Sequence, residues 1–249
     1  MRNTFMHTKD RCHVLIVSLV VLSLSACASS SYVKNERDPW QGFNRSMYAF
    51  NDTLDSEIVK PAAKGYRAIT PDFVETGVRN VFGNLDDVSV GVNNVLQGKL
   101  TDAGSDVGRI LVNTTIGIGG LFDIASKMGL RKHEEDFGQT LGVWGVPSGP
   151  YLVLPFFGPS TLRDSPSIPV DRILLDPLTY VELKTGERVA INALDLVSLR
   201  AELLSLEDAV EGISQDQYTL IREAYLDRRE FLLNDGQTVV DDDLYEGLE

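Results

Sequence analysis

The sequence predicts an all-α protein, and three observations carry that reading. Apolar residues recur every three or four positions through most of the chain, helix-start signals precede those runs, and strand patterns are scarce. Asp38-Pro39-Trp40-Gln41 reads as a helix start, with Asp38 as N-cap, Pro39 at the first helical position and Gln41 completing a capping box. The stripe Trp40, Phe43, Met47, Phe50, Leu54 and Ile58 follows from it. Thr70-Pro71-Asp72 opens a second helix faced by Val74, Val78, Val81 and Leu85. A third lies near residues 86–97 and stops at Gly98, and a fourth carries Val107, Ile110, Leu111 and Thr114. Residues 189–206 form a charged amphipathic helix through Leu194, Val197 and Leu204. The capping box Ser214-Gln215-Asp216-Gln217 opens the last helix, with Tyr218, Ile221, Tyr225 and Phe231, and Asn234-Asp235-Gly236 closes it. Only residues 151–157 look like a strand, and Pro155 interrupts them.

The ends of the chain suggest export and a lipid anchor. Arg2, Lys9 and Arg11 precede a short apolar run, residues 14–25, which reads as a secretory signal. Leu24-Ser25-Ala26-Cys27 follows and resembles a bacterial lipobox, so Cys27 is the expected lipid attachment site. Acylation with more than one chain anchors stably, because each buried methylene contributes about 0.8 kcal/mol. Ala28, rather than aspartate, follows the cysteine, which favours the outer membrane. The other cysteine, Cys12, leaves with the signal, so the mature chain is expected to form no disulfide. The formal charge is −13; the signal removes three basic residues and one acidic one, leaving the mature chain near −15. Together with the lack of a Lys/Arg cluster, this argues against nucleic acid and against electrostatic adhesion to anionic lipid. The expected organisation is a signal at 1–26, a flexible acylated tether at 27–37, a helical domain at 38–236 and a disordered acidic tail at 237–249.

Residues 137–162 contain no charged side chain, although 24% of the chain is charged. The stretch is long enough to span a bilayer, yet it includes Pro147, Pro150, Pro155 and Pro159. Each interior proline costs a helix about 3 kcal/mol, so an ordinary transmembrane helix is excluded. A buried irregular loop remains, in a soluble core or at membrane depth where protein or a water-filled cavity satisfies the backbone.

Catalytic patterns are missing. His133 is the one histidine of the mature chain and sits in Lys132-His133-Glu134-Glu135-Asp136, which reads as a solvated charged turn. Ser148 lacks the nucleophile-elbow spacing, and Gly117-Ile118-Gly119-Gly120 is followed by no Lys-Ser/Thr pair. Adjacent carboxylates such as Asp86 and Asp87 more often cap helices or face water than act as an acid/base pair. The chain reads as a non-enzyme with no cofactor and no metal.

Several blocks together resemble the VacJ/MlaA family of outer-membrane lipoproteins. They are the run from Asp38 to Asn51 (DPWQGFNRSMYAFN), the run from Asn113 to Asp123 (NTTIGIGGLFD), Phe137 to Trp144, Gly149-Pro150-Tyr151 through to Leu162-Arg163-Asp164, and Arg222-Glu223-Ala224-Tyr225. Residues 165–185 and the tail match poorly. The resemblance implies a ring-like helical domain embedded in the inner leaflet of the outer membrane, on its periplasmic side, with a central amphipathic channel. It implies removal of phospholipids misplaced in the outer leaflet, transfer to a soluble periplasmic lipid carrier, and association with a trimeric porin. Two functions therefore stand: a passive phospholipid conduit, or a structural lipoprotein that binds cell wall or another envelope protein. On the first, Trp40, Phe43, Met47 and Phe50 make a face toward lipid or the supporting core, while Asn44 and Arg45 point to polar surroundings. Arg109 and Asn113, four apart on one helical face, are candidates with Asp123 to line or support the headgroup path. Arg109 pairing with Asp106 or Asp123 purely to fix helix packing is the equal alternative. Gly119 is expected to let the route flex.

Overall fold

The computed structural model describes residues 36–210 and 216–237; Cys27, the signal and residues 238–249 lie outside them. The chain runs through α1 (Gln41–Leu54), a wide turn (Asp55–Val59), α2 (Lys60–Ile69), α3 (Asp72–Leu96) and α4 (Leu100–Thr115). Two short helices follow, α5 (Ile124–Lys127) and α6 (Phe137–Val143), then an antiparallel hairpin of β1 (Tyr151–Leu154) and β2 (Gly158–Thr161). Next come α7 (Ser167–Pro169), a second wide turn (Val170–Leu175), a tight turn (Pro177–Tyr180), α8 (Thr185–Val210) and α9 (Gln217–Leu233). The fold is helical apart from the one hairpin. Among the described residues no helix is long and apolar enough to cross a membrane.

Several expectations change in detail. Asp38 is not the cap of α1: Trp40 occupies that position with no side-chain cap bond. The Asp38 carboxylate instead turns inward, where Asn44 (2.8 Å), Tyr218 (2.5 Å) and Arg222 (2.9 Å) donate to it. A buried charged donor holds a carboxylate more strongly than a frayed helix end does. The apolar stripe of α1 does continue through Leu54 and Ile58, but over the i→i+5 turn before α2. That turn absorbs Pro61, which has no N–H to give a regular helix. The expected second and third helices are one, α3, because nothing between Leu85 and Asp87 stops a helix. Gly98, with φ +80°, ends it. The cap of α9 is Asp216, which accepts from the Thr219 N–H; Ser214 lies outside the described residues. In the hairpin Pro155 sits in the turn, so it interrupts no ladder bond.

The tether expected to reach Arg37 is pinned at that residue. Its carbonyl accepts from Tyr151 N at 2.8 Å, and its guanidinium pairs with Glu223 at 3.1 Å.

Packing is inverted relative to a soluble protein. Buried polar and charged side chains outnumber buried apolar ones by about two to one among the described residues, the reverse of the usual partition. The apolar core is confined to two small clusters. Ala63, Ala201 and Leu204 join α2 to α8, and Tyr151, Val153 and Tyr218 join β1 to α9, with Met47 of α1 packed beneath. Large apolar side chains lie outside instead, including Ile69, Phe73, Ile118, Trp144 and Phe156. The uncharged segment is two-faced: Thr140, Tyr151, Val153 and Thr161 are buried, whereas Val143, Trp144, Phe156, Phe157 and Leu162 are exposed.

Candidate functional site

Helices α3 and α4 form an antiparallel hairpin joined by polar rungs. Asn94 donates to Asp106 at 2.7 Å, Arg109 to Asp87 at 3.1 Å, and Asn84 to the Thr114 hydroxyl at 3.0 Å. Gly91 permits the close approach, since a Cβ there would already touch the Asp106 side chain at 3.4 Å. Arg109, 2% exposed, gives every part of its guanidinium a partner. Besides Asp87 it reaches the Ser126 hydroxyl and the Leu130 carbonyl, both at 2.9 Å, and Asp123 at 3.3 Å. Asn113 donates to Asp123 at 3.1 Å and accepts from Ala125 N at 2.9 Å. Arg109, Asn113 and Asp123 thus form one network, and the acidic partners of Arg109 are Asp87 and Asp123 rather than Asp106. Burial raises the Asp123 pKa, but bonds from Ser126 and Asn113 and the charge of Arg109 outweigh it and bring it to about 2.

The turn after Asn113 explains the glycine run. A Cβ on Gly117 would lie 2.3 Å from the Phe122 carbonyl, and Ile118, Gly119 and Gly120 all have positive φ. Nothing stands within 4 Å of a Cβ on Gly119, so a side chain there meets backbone strain rather than a clash.

On the far side of this network lies a partly enclosed cavity of about 570 Å³, within the roughly 300–1,000 Å³ of small-ligand sites. Arg79, Phe82, Gly83, Asp86 and Val90 of α3 recur at helical spacing along its wall. The loop 132–136, Asp171 and Arg172 of the second wide turn, Asp195 of α8, and Tyr225 and Arg228 of α9 complete it. The wall is amphipathic, with apolar carbon from Phe82, Leu85, Leu178, Leu199 and Leu232 between the charges. Lys132 couples cavity and network: it donates to Asp87 at 2.5 Å and to the Gly83 carbonyl at 2.9 Å, while Arg109 holds the other Asp87 oxygen.

The charged turn 132–136 keeps Lys132 and Glu134 exposed, as a solvated turn does, but its side chains are tied down. His133 Nδ1 lies 2.7 Å from Asp106, Glu134 pairs with Arg228, Glu135 with Lys99 at 2.8 Å, and Asp136 caps α6 and binds Arg229. Three cavity carboxylates have raised pKa values. Burial is the leading cause for each, opposed by Lys132 at Asp86, by Arg79 at Asp195, and by bonds from Phe137 N and Asn93 at Asp171.

The first helix places its residues as follows. Trp40 and Phe50 are exposed, Phe43 and Met47 are half-buried, and Phe50 meets Phe156 edge-to-face at 5.3 Å. Asn44 is wholly buried and holds β1, donating to the Tyr151 carbonyl at 3.0 Å and accepting from Val153 N at 2.9 Å. Arg45 binds Asp216 and lies 4.4 Å over the Tyr218 ring. The cavity itself escaped the sequence reading. Its one visible signal was the polar stripe Arg79, Gly83, Asp86 on the helix whose other stripe is valine.

The family model for MlaA lipoprotein matches residues 36–232. The chain belongs to the MlaA lipoprotein family. It is 38% identical to the intermembrane phospholipid transport system lipoprotein MlaA of Escherichia coli (strain K12) over 221 residues, 86% of each chain. It is 31% identical to the protein of the same name from Haemophilus influenzae, over 91% of this chain and 92% of the relative. An uncharacterized protein of Rickettsia felis is 36% identical over 87% of this chain and 92% of its own length. A solved chain concerned with the structural basis for maintenance of bacterial outer membrane lipid asymmetry superposes with a TM-score of 0.68. It is 34% identical, covering 79% of this chain and 98% of that one. This MlaA-family chain thus buries a set of polar and charged side chains, lines a partly open cavity with others, and turns many of its large apolar side chains outward.

Proposed function

We propose that this MlaA-family protein is a passive phospholipid conduit, acylated at Cys27 and seated as a ring in the periplasmic leaflet of the outer membrane. It removes phospholipids misplaced in the outer leaflet and passes them to a soluble periplasmic carrier, beside a trimeric porin. The observation that carries the reading is the inverted packing: a charged, water-accessible cavity inside a molecule whose exposed surface is rich in Trp, Phe, Ile and Leu. A polar headgroup needs such a lining, because a bare charge at bilayer depth costs about 2.5–3.5 kcal/mol on insertion scales. Acyl chains are matched by the apolar carbon between the charges. On this reading the protein is passive, and the energy for transfer comes from elsewhere. Arg109, Asn113 and Asp123 support the path by fixing Asp87 and through it Lys132.

The relatives' description as a phospholipid transport lipoprotein supports the same reading. Its test is outer-leaflet phospholipid in cells lacking the gene, together with transfer of labelled phospholipid from vesicles holding the purified protein to an acceptor. A conduit raises the first on deletion and supports the second. A structural envelope lipoprotein does neither.

A further inference from the structure

Resting on the conduit reading, we infer that the cavity selects a zwitterionic headgroup carrying a primary ammonium, phosphoethanolamine, over net-anionic and quaternary-ammonium headgroups. Asp86 receives the ammonium and Arg172 the phosphate. Most charges on the wall are already committed. Arg228 is paired with Glu134, Arg229 with Asp136, Arg79 with Glu202 at 2.9 Å, and Lys132 with Asp87. Asp171 is held by Ser89, Asn93 and Phe137 N, and Asp176 caps the turn at Pro177. Asp86 and Arg172 are different. Among the described residues, neither side chain takes part in a hydrogen bond or ion pair, although the charge of Arg172 acts on both Asp86 and Asp195. Opposite charges are therefore presented to one cavity with neither tied up in a direct pair, as a dipolar ligand requires.

The sign of the whole wall excludes one competitor. Seven carboxylates and five Lys/Arg side chains line it, so it is net negative with His133 neutral. A phosphatidylglycerol headgroup, which brings a phosphate charge and no cation, adds repulsion there. The chemistry of Asp86 excludes the other. A primary ammonium donates up to three hydrogen bonds to carboxylates, whereas a quaternary ammonium donates none and is held by aromatic cages. The aromatic side chains on this wall are Phe82 and Tyr225, too few for a cage.

The test uses the purified acylated protein, incubated with vesicles of equal parts phosphatidylethanolamine, phosphatidylglycerol and phosphatidylcholine, with bound lipid identified by mass spectrometry. Wild type should hold phosphatidylethanolamine about fivefold above each competitor, the scale of one partly screened charge contact. Asp86→Asn should return the ratio toward that of the vesicle with total bound lipid little changed, and Asp86→Lys should favour phosphatidylglycerol. Melting temperatures of both variants near wild type certify the fold. Lipid bound in vesicle proportion by wild type, or an Asp86→Asn ratio equal to wild type, overturns the headgroup assignment while the conduit stands. Wild type that binds no phospholipid and transfers none overturns the conduit itself.

Discussion

Asp86 and Asp87 are adjacent in sequence and serve different faces of α3, about 100° apart around the helix. Asp87 is wholly buried, with Arg109 at 3.1 Å on one oxygen and Lys132 at 2.5 Å on the other. Asp86 is exposed on the cavity wall, and among the described residues its carboxylate has no hydrogen-bond or ion-pair partner. A buried carboxylate whose oxygens are both occupied serves the fold, and one that stands exposed on a cavity wall and unoccupied is available to a ligand.

The contrast breaks most visibly by mutation. Asp87→Ala leaves Arg109 as a buried cation short of its main partner, and removing one member of such a pair costs about 3–5 kcal/mol. Arg109→Ala should cost as much from the other side. Asp86→Ala should stay within about 0.5 kcal/mol, as for an accessible site. Denaturant or thermal unfolding of the purified proteins measures all three. Equal losses at positions 86 and 87 would erase the distinction between the faces. The same result governs how transport assays are read: loss of transport in Arg109→Ala counts against the path only at normal protein levels.

A second comparison sets the exposed apolar surface against this interior. Phe156 is 74% exposed at the hairpin tip, in a left-handed backbone conformation that aspartate tolerates well. In a Cys27→Ser background, which removes the acyl anchor, Phe156→Asp should weaken vesicle flotation by up to about 3 kcal/mol, less if the tip rides at headgroup level. Leu203→Asp on α8 is the control, since that helix carries its charges close by. Identical effects at both positions would show that the hairpin tip has no privileged contact with lipid.

The helices were largely legible in the sequence because their periodicity and stop signals are local. Gly98 ends α3 and Asn234 caps the end of α9 as their types suggest. The cavity was not legible, because its wall gathers five separate segments and one of them, around Asp171 and Arg172, has no periodic pattern. Asp38 misled for a related reason. A local capping box and a distant Arg222 compete for the same carboxylate, and only the folded chain brings Arg222 near. Buried polar rungs such as Asn94–Asp106 are also invisible where core is equated with apolar residues, an assumption that fails between α3 and α4.

The smallest effect separates the two kinds of carboxylate by sign. Asp123 has its folded pKa lowered to about 2, against about 3.9 in an unfolded chain. Its ionised form therefore stabilises the fold above about pH 4, and that contribution disappears as pH falls toward 2. Asp123→Asn should melt below wild type at neutral pH, and the gap should close on acidification. For Asp86 the direction reverses. Burial raises its pKa against the opposing charge of Lys132, so the folded chain holds that proton to higher pH than the unfolded one does. Ionised Asp86 is then a cost at neutral pH, relieved as pH falls through its folded pKa. Asp86→Asn should melt slightly above wild type at pH 7 and match it in acid, provided no lipid is bound. Adding phosphatidylethanolamine to detergent micelles should narrow the gap at pH 7 by stabilising wild type selectively. A lower neutral-pH melting temperature for Asp86→Asn would mean that the carboxylate already serves the fold, and it could not then be waiting for an ammonium.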